Sequence, residues 1–200
     1  MNYSASHGSL VIEDDFENEF VYLQKPTPSL FGLAGGQNVV YLGTFSRLLL
    51  PSIRISFMVL PPELSALYRK KADQYNQTAS KAEQIALCQF IRDGHLAAQT
   101  RKLKRLYSVK LKALRSAVRE VFGKDAQIQT GAAGTSLALT LSTTLTWQEL
   151  QKKAQTNGLR LQLLREAPGK ITLILSCSSM PVADFVPACK LLKDISQIQN

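Results

Sequence analysis

The chain reads as an α/β fold in which a larger layered domain is followed by a small α+β domain. Three observations carry that reading. Apolar runs at 9–13, 38–42 and 53–60 are continuous rather than alternating, the pattern of strands covered on both faces in a parallel or mixed sheet. Leu103, Leu106, Leu111, Leu114, Val118 and Val121 recur at three- to five-residue steps through a basic stretch, as one helix over 95–122 would place them. Beyond that stretch the texture turns to Thr, Ser and Leu in the order strand, helix, strand, strand, helix. Two hundred residues, 45% of them apolar and 20% charged, suffice for one domain or for a large lobe with a small one, and exclude wholesale disorder.

Each element has a local reason. The run at 9–13 is followed by the acidic Glu13-Asp14-Asp15 and a Pro- and Gly-rich loop at 24–36. The run at 38–42 stops at Gly43, and 53–60 is closed by Pro61-Pro62. Pro62 suits a first helical turn and Glu63 suits the positive end of the helix dipole, so a helix is expected over 63–72. Further helices are expected over 81–93, ending at Gly94, and over 95–122, ending at Gly123. A strand at 137–145 precedes Thr146-Trp147-Gln148-Glu149, a capping box that opens a helix over 147–157, stopped by Gly158. Strands at 159–164 and 171–177 turn at Pro168-Gly169, and a helix over 182–195 closes the chain. The domains are therefore 1–94, a connecting helix at 95–123, and 124–200.

Lys and Arg outnumber Asp and Glu by 24 to 15, a net charge of +9, which raises nucleic acid as a partner. Much of the excess lies on the 95–122 helix with no aromatic interleaved at the stacking positions that single-strand binders use, so a solvated face is favoured over a phosphate-binding one. Cys88, Cys177 and Cys189 are odd in number and lack CxxC or histidine partners. They read as reduced thiols, with no metal site and no catalytic cysteine. The longest apolar runs fall far short of the ~18–20 residues that span a bilayer, and residues 1–8 have no basic-then-apolar leader, which favours the cytoplasm.

Several motifs in series carry a resemblance. They are His7-Gly8-Ser9-Leu10-Val11-Ile12-Glu13-Asp14-Asp15-Phe16-Glu17-Asn18-Glu19-Phe20, Tyr41-Leu42-Gly43-Thr44-Phe45-Ser46-Arg47, Pro51-Ser52-Ile53-Arg54, Leu60-Pro61-Pro62-Glu63-Leu64 and Phe90-Ile91-Arg92-Asp93-Gly94-His95-Leu96. In order and spacing this series resembles the aminotransferase-like domain of MocR/GntR-type bacterial transcription regulators, within fold type I of the pyridoxal-phosphate superfamily. The likeness covers 7 to about 122 strongly and the rest weakly. It implies the C-terminal half of a fold type I large domain followed by the small domain. Such a protein precedes these motifs with a DNA-binding winged helix-turn-helix, a linker and the first half of the large domain. The chain is therefore expected to be a truncated, degenerate portion of a regulator, touching DNA only through that other domain.

The resemblance also assigns roles. Asp14 matches the carboxylate that pairs with the cofactor's pyridine nitrogen, while Phe16 stands where a tyrosine would hydrogen-bond the ring oxygen and has no hydroxyl to do so. Thr44 and Arg54 match the phosphate-binding positions, and Ser46 is carried with them as a cofactor-binding residue. The Schiff-base lysine is replaced by Arg47, whose guanidinium is never a free amine, so the resemblance implies no catalytic residue. The arginine that holds a substrate carboxylate aligns near Thr172, and a Gly-x-His strand start becomes Gly134-Thr135-Ser136. The expected function is a non-catalytic effector-binding and dimerisation fragment, with pyridoxal 5'-phosphate held weakly and non-covalently or not at all, a phosphate-bearing small molecule as a candidate ligand, and a second copy as partner. Two alternatives stay open: a working pyridoxal-phosphate aminotransferase, and a basic nucleic-acid-binding module.

Overall fold

The computed structural model describes residues 6–15, 28–123, 126–130, 134–178 and 180–196. The chain divides into two compact units whose boundary falls inside the long helix, between Leu103 and Lys104.

The first unit is built on a three-stranded mixed sheet. Strand β1 (Val11–Asp14) runs parallel to β2 (Val39–Thr44), and β3 (Ser56–Val59) runs antiparallel to β2 on its other side. Between β1 and β2 lies a four-residue helix, α1 (Leu30–Leu33), where the sequence suggested only loop. Its exposed N–H groups are met by Ser29 Oγ, which accepts from Gly32 N–H at 3.0 Å, and by the Glu13 carboxylate, which accepts from Leu30 and Phe31 N–H at 2.8 and 2.9 Å. Helix α2 (Pro62–Lys71) opens at the expected proline, with Glu63 in its first turn and Arg69, Lys70 and Lys71 in its last. Helix α3 (Lys81–Arg92) is capped by Ser80 and ends ahead of Gly94, whose φ of 77° turns the chain into α4 (His95–Phe122).

Two expectations change here. Strand β2 does not stop at Gly43 but continues to Thr44, because the Phe57 ring of the paired strand lies over the glycine and fills the space a side chain would take. Nor is every strand covered on both faces. Val39 and Val40 of β2 are buried, but all four residues of β3 are exposed, Met58 by 55%.

The second unit is a four-stranded antiparallel sheet in the order β4 (Gln127–Thr130), β5 (Ser136–Ser142), β7 (Lys170–Ser176), β6 (Gln162–Ala167), with helices α5 (Trp147–Thr156) and α6 (Phe185–Ser196). The observed order is strand, strand, helix, strand, strand, helix. Sequence reading lacked β4, an edge strand whose Gln-Ile-Gln-Thr offers a single apolar side chain. Alternation along β5 sends Leu137, Leu139 and Leu141 inward, where they meet Ile171 and Leu173 of β7, Leu111, Leu114 and Val118 of α4, Leu150 of α5 and Phe185 of α6. These residues are at most 5% exposed, and burying each such side chain contributes roughly 1.5–3 kcal/mol.

The Thr146 capping box forms as read, with Glu149 N–H donating to Thr146 Oγ1 at 3.4 Å and Thr146 N–H to the Glu149 carboxylate at 2.8 Å. At the other end of α5, Gly158 adopts φ 75°, and Leu159 N–H donates back to Ala154 O at 2.8 Å, the bonding of a Schellman motif. That bond commits Leu159 to the helix end, so β6 begins at Gln162 rather than 159. A bulge between Leu163 and Arg165 then carries it to Ala167. Pro168-Gly169 turns β6 into β7 as expected. The closing helix starts later than 182, after a 3-10 turn over Val182–Asp184.

Candidate functional site

Residues singled out from the sequence gather where β1 and β2 end. Asp14 is the last residue of β1 and pairs in register with Leu42; Thr44 is the last residue of β2. Both line an open cleft of about 1050 Å³, whose wall also includes Phe57 of β3, Tyr68 of α2, and Cys88 and Arg92 of α3. Phe16 lies outside the described residues.

The loop after β2 carries the remaining three. Its mouth is held by Phe45 N–H donating to Ile55 O at 3.1 Å, and it is anchored by Leu48 and Ile55, 4% and 7% exposed. Ser46 Oγ donates to Ile53 O at 2.6 Å, Thr44 Oγ1 reaches Ile55 O at 3.5 Å, and Thr44 Oγ1 accepts from Ser46 N–H at 3.3 Å. Arg54 lies between the two accepting carbonyls, so the backbone brings it across the mouth from Thr44 and Ser46. Arg47 and Arg54 are both exposed. Ser46, Arg47 and Arg54 are not among the residues that line the Asp14 cleft.

Thr44's hydroxyl contact is at the limit of hydrogen bonding, so the hydroxyl re-aims at little cost, whereas Ser46's short bond makes its hydroxyl a fixed brace of the loop. Asp14 brings a carboxylate to the strand ends, Arg92 is the guanidinium that lines the cleft with it and Thr44, and Arg47 and Arg54 are exposed on the loop outside that lining. Arg47 has no free amine, and none of the described residues lining the cleft is a lysine.

Sequence reading missed what stiffens this corner. Phe31, Tyr41, Phe57 and Phe45 form a chain of tilted rings with centroids 6.2, 6.1 and 5.4 Å apart, and Tyr41 Oη donates to Asp15 Oδ2 at 2.7 Å. Period-two spacing of Tyr41, Gly43 and Phe45 was the available signal, obscured by ending the strand at Gly43. In the second unit, Thr172 Oγ1 is 3.0 Å from Thr140 Oγ1 across the β5–β7 pair. Thr135 is buried, its carbonyl accepting from Cys177 N–H at 2.9 Å. Burial raises the Cys177 thiol, and raises Cys189 to about 11 with help from Glu120, while Cys88 is exposed. Among the described residues there is no cluster of metal-ligating side chains and no helix long and apolar enough to cross a membrane.

No protein-family model matches the chain. The uncharacterized HTH-type transcriptional regulator YdeL of Bacillus subtilis is 32% identical over 197 residues, which is 96% of this chain and 42% of the relative. The probable rhizopine catabolism regulatory protein MocR of Rhizobium meliloti is 30% identical over 158 residues, 79% of this chain and 32% of the relative. The chain thus spans less than half the length of these curated relatives. Among solved structures, LysN, the alpha-aminoadipate aminotransferase of Thermus thermophilus, matches with a TM-score of 0.77 at 24% identity, over 98% of this chain and 52% of that one. The fold is that of fold type I aminotransferases.

Proposed function

We propose, from the premise that relatives matching 79–96% of this chain include the HTH-type regulator YdeL and the regulatory protein MocR beside a 2-aminoadipate transaminase, that it is a non-catalytic, aminotransferase-like effector-binding and dimerisation portion of a MocR/GntR-type regulator. The observation that carries the reading is Arg47. It occupies the position that the resemblance gives to the Schiff-base lysine, and a cation that cannot shed its proton at physiological pH neither forms an imine nor moves a substrate proton.

The ligand we assign is pyridoxal phosphate held non-covalently, or another small molecule with a phosphate. Thr44, Arg54 and Arg47 would meet the phosphate, Ser46 would hold the loop, and Asp14 would meet the ring nitrogen. Bound pyridoxal phosphate supplies an electron-withdrawing ring; these residues supply position and charge. Exposed apolar side chains of the first unit, including Ile12 (66%) and Met58 (55%), support association with a second copy, since contiguous exposed apolar surface favours assembly. DNA recognition belongs, in this reading, to the HTH portion that the relatives' names describe. We place the protein in the cytoplasm, whose reducing conditions suit its three free thiols.

Equilibrium dialysis against pyridoxal phosphate tests the ligand. Saturable binding that washes out, leaves the free-aldehyde absorbance unchanged and weakens in Arg54→Ala is the expected result. An imine absorbance that survives dialysis contradicts it. Light scattering at tens of micromolar should find a dimer; a monodisperse monomer contradicts the dimerisation role.

A further inference from the structure

Helix α4 has two faces with opposite fates. Its apolar stripe, Leu111, Leu114, Ala117 and Val118, is buried in the core of the second unit. On the opposite side Arg105, Lys112, Arg115 and Arg119 follow one another at steps of seven, three and four residues. At 3.6 residues per turn they fall within about 80° of one line, and the row is about 21 Å long at 1.5 Å per residue. All four are exposed, and none of their side chains makes a hydrogen bond or ion pair with another described residue. Lys110, by contrast, is tied to Ser178 O at 3.0 Å. Glu120 is the one carboxylate of the helix, and it lies close enough to Cys189 of α6 to raise that thiol. The spaces in the row are taken by Ser108 and Ser116, further hydrogen-bond donors.

We propose that this face of α4 binds the phosphate backbone of duplex DNA without reading its sequence. Four uncompensated cations held in a rigid row are repelled by one another, and that repulsion is relieved by a polyanion of regular spacing. The row's length covers about six base-pair steps at 3.4 Å each, and phosphate contacts of this kind carry affinity but not specificity. Its composition selects among polyanions. No aromatic stands in the row, so it lacks the stacking platform of a single-strand binder. The one exposed apolar side chain beside it is Val109, between Arg105 and Lys112, and no Trp, Tyr or other large anchor of a protein interface stands there. The helix's main apolar stripe is spent on the core, and the exposed pair Leu106 and Val109 is too small to lay into a bilayer. The inference is independent of the pyridoxal-phosphate reading and gives this portion of a regulator a DNA contact of its own.

Anisotropy of a labelled duplex of arbitrary sequence, measured with the full chain from 50 to 200 mM salt, tests it. Four phosphate contacts at ~0.9 each give a slope of log K against log salt near −3.6, or about 150-fold weaker binding across that range. The variant R105Q/K112Q/R115Q/R119Q, which lowers the net charge from +9 to +5, should bind weakly and with little salt dependence. R160Q/R165Q/K170Q/K190Q removes the same charge elsewhere and should keep the slope. Should the first variant fail to fold by circular dichroism, Lys112→Gln alone should lower the slope by ~0.9. The proposal is overturned if the two fourfold variants lose affinity equally, if the wild-type chain does not bind duplex at 50 mM salt, or if it binds vesicles of anionic lipid and not the duplex.

Discussion

Replacing Gly43 with alanine probes how the candidate site is built. A Cβ at this position would lie 2.3 Å from Cζ, 2.7 Å from Cε1 and 3.0 Å from Cε2 of Phe57, whereas carbon atoms rest ~3.5–4.0 Å apart. The ring must therefore retreat by more than about 1 Å. In retreating it disturbs its tilted contacts with Phe45 at 5.4 Å and Tyr41 at 6.1 Å. Each such pair contributes ~0.5–1.5 kcal/mol, while alanine recovers ~0.5–1 kcal/mol of glycine's backbone entropy. The net expectation is a local loss of about 0.5–2 kcal/mol. Trp147, the single tryptophan, lies in the second unit and does not report on this sheet, so the assay is amide exchange of β2, expected to accelerate roughly 2- to 30-fold. In a Phe57→Ala background the same change should be neutral or stabilising by up to ~1 kcal/mol. An equal penalty in both backgrounds would refute the claim that the ring is the obstacle.

Three more outcomes follow from the same geometry. Thr146→Ala removes the α5 cap and should cost ~0.5–2 kcal/mol of second-unit stability, read from Trp147 fluorescence in urea. Hydrogen bonds from Thr146, its backbone N–H above all and then its hydroxyl, hold the Glu149 carboxyl below its ordinary value. Its contribution is therefore present above the ordinary carboxylate range and lost as pH falls through the lowered one, an acid-side loss that Glu149→Gln should abolish in unfolding curves taken across that range. At pH 8 a thiol-specific reagent should label Cys88 quickly and Cys177 and Cys189 slowly, because a thiol near 11 is only about one part in a thousand thiolate there; two fast thiols would contradict the burial argument. Arg47→Lys restores an amine and should raise pyridoxal-phosphate affinity modestly without transaminase activity, since Phe16 still offers the ring oxygen no partner; a fully active aminotransferase would overturn the reading of this chain as non-catalytic.

Sequence legibility followed the locality of the cause. Helix α4 has its expected bounds and α5 its expected cap, because Gly94, Gly123 and the Thr146–Glu149 box act on their own neighbours. The Pro168-Gly169 turn was legible for the same reason. What escaped depends on partners distant in sequence. Gly43 stays in β2 because of Phe57, β4 exists because its polar backbone pairs with β5, and β6 shifts because Leu159 is bonded back into α5. Within the site, residue types and order were legible through the resemblance. The fixed brace of Ser46 on Ile53, the ring chain behind Thr44 and the placing of Asp14 and Thr44 on one cleft required the fold.

The central claim is that no amine here takes up the cofactor covalently. Incubating the chain with pyridoxal phosphate, reducing with borohydride, and measuring intact mass followed by peptide mapping tests it most directly. Unmodified protein, or a scatter of substoichiometric adducts over surface lysines, is the expected result. One stoichiometric reduced adduct on a single lysine would contradict the account.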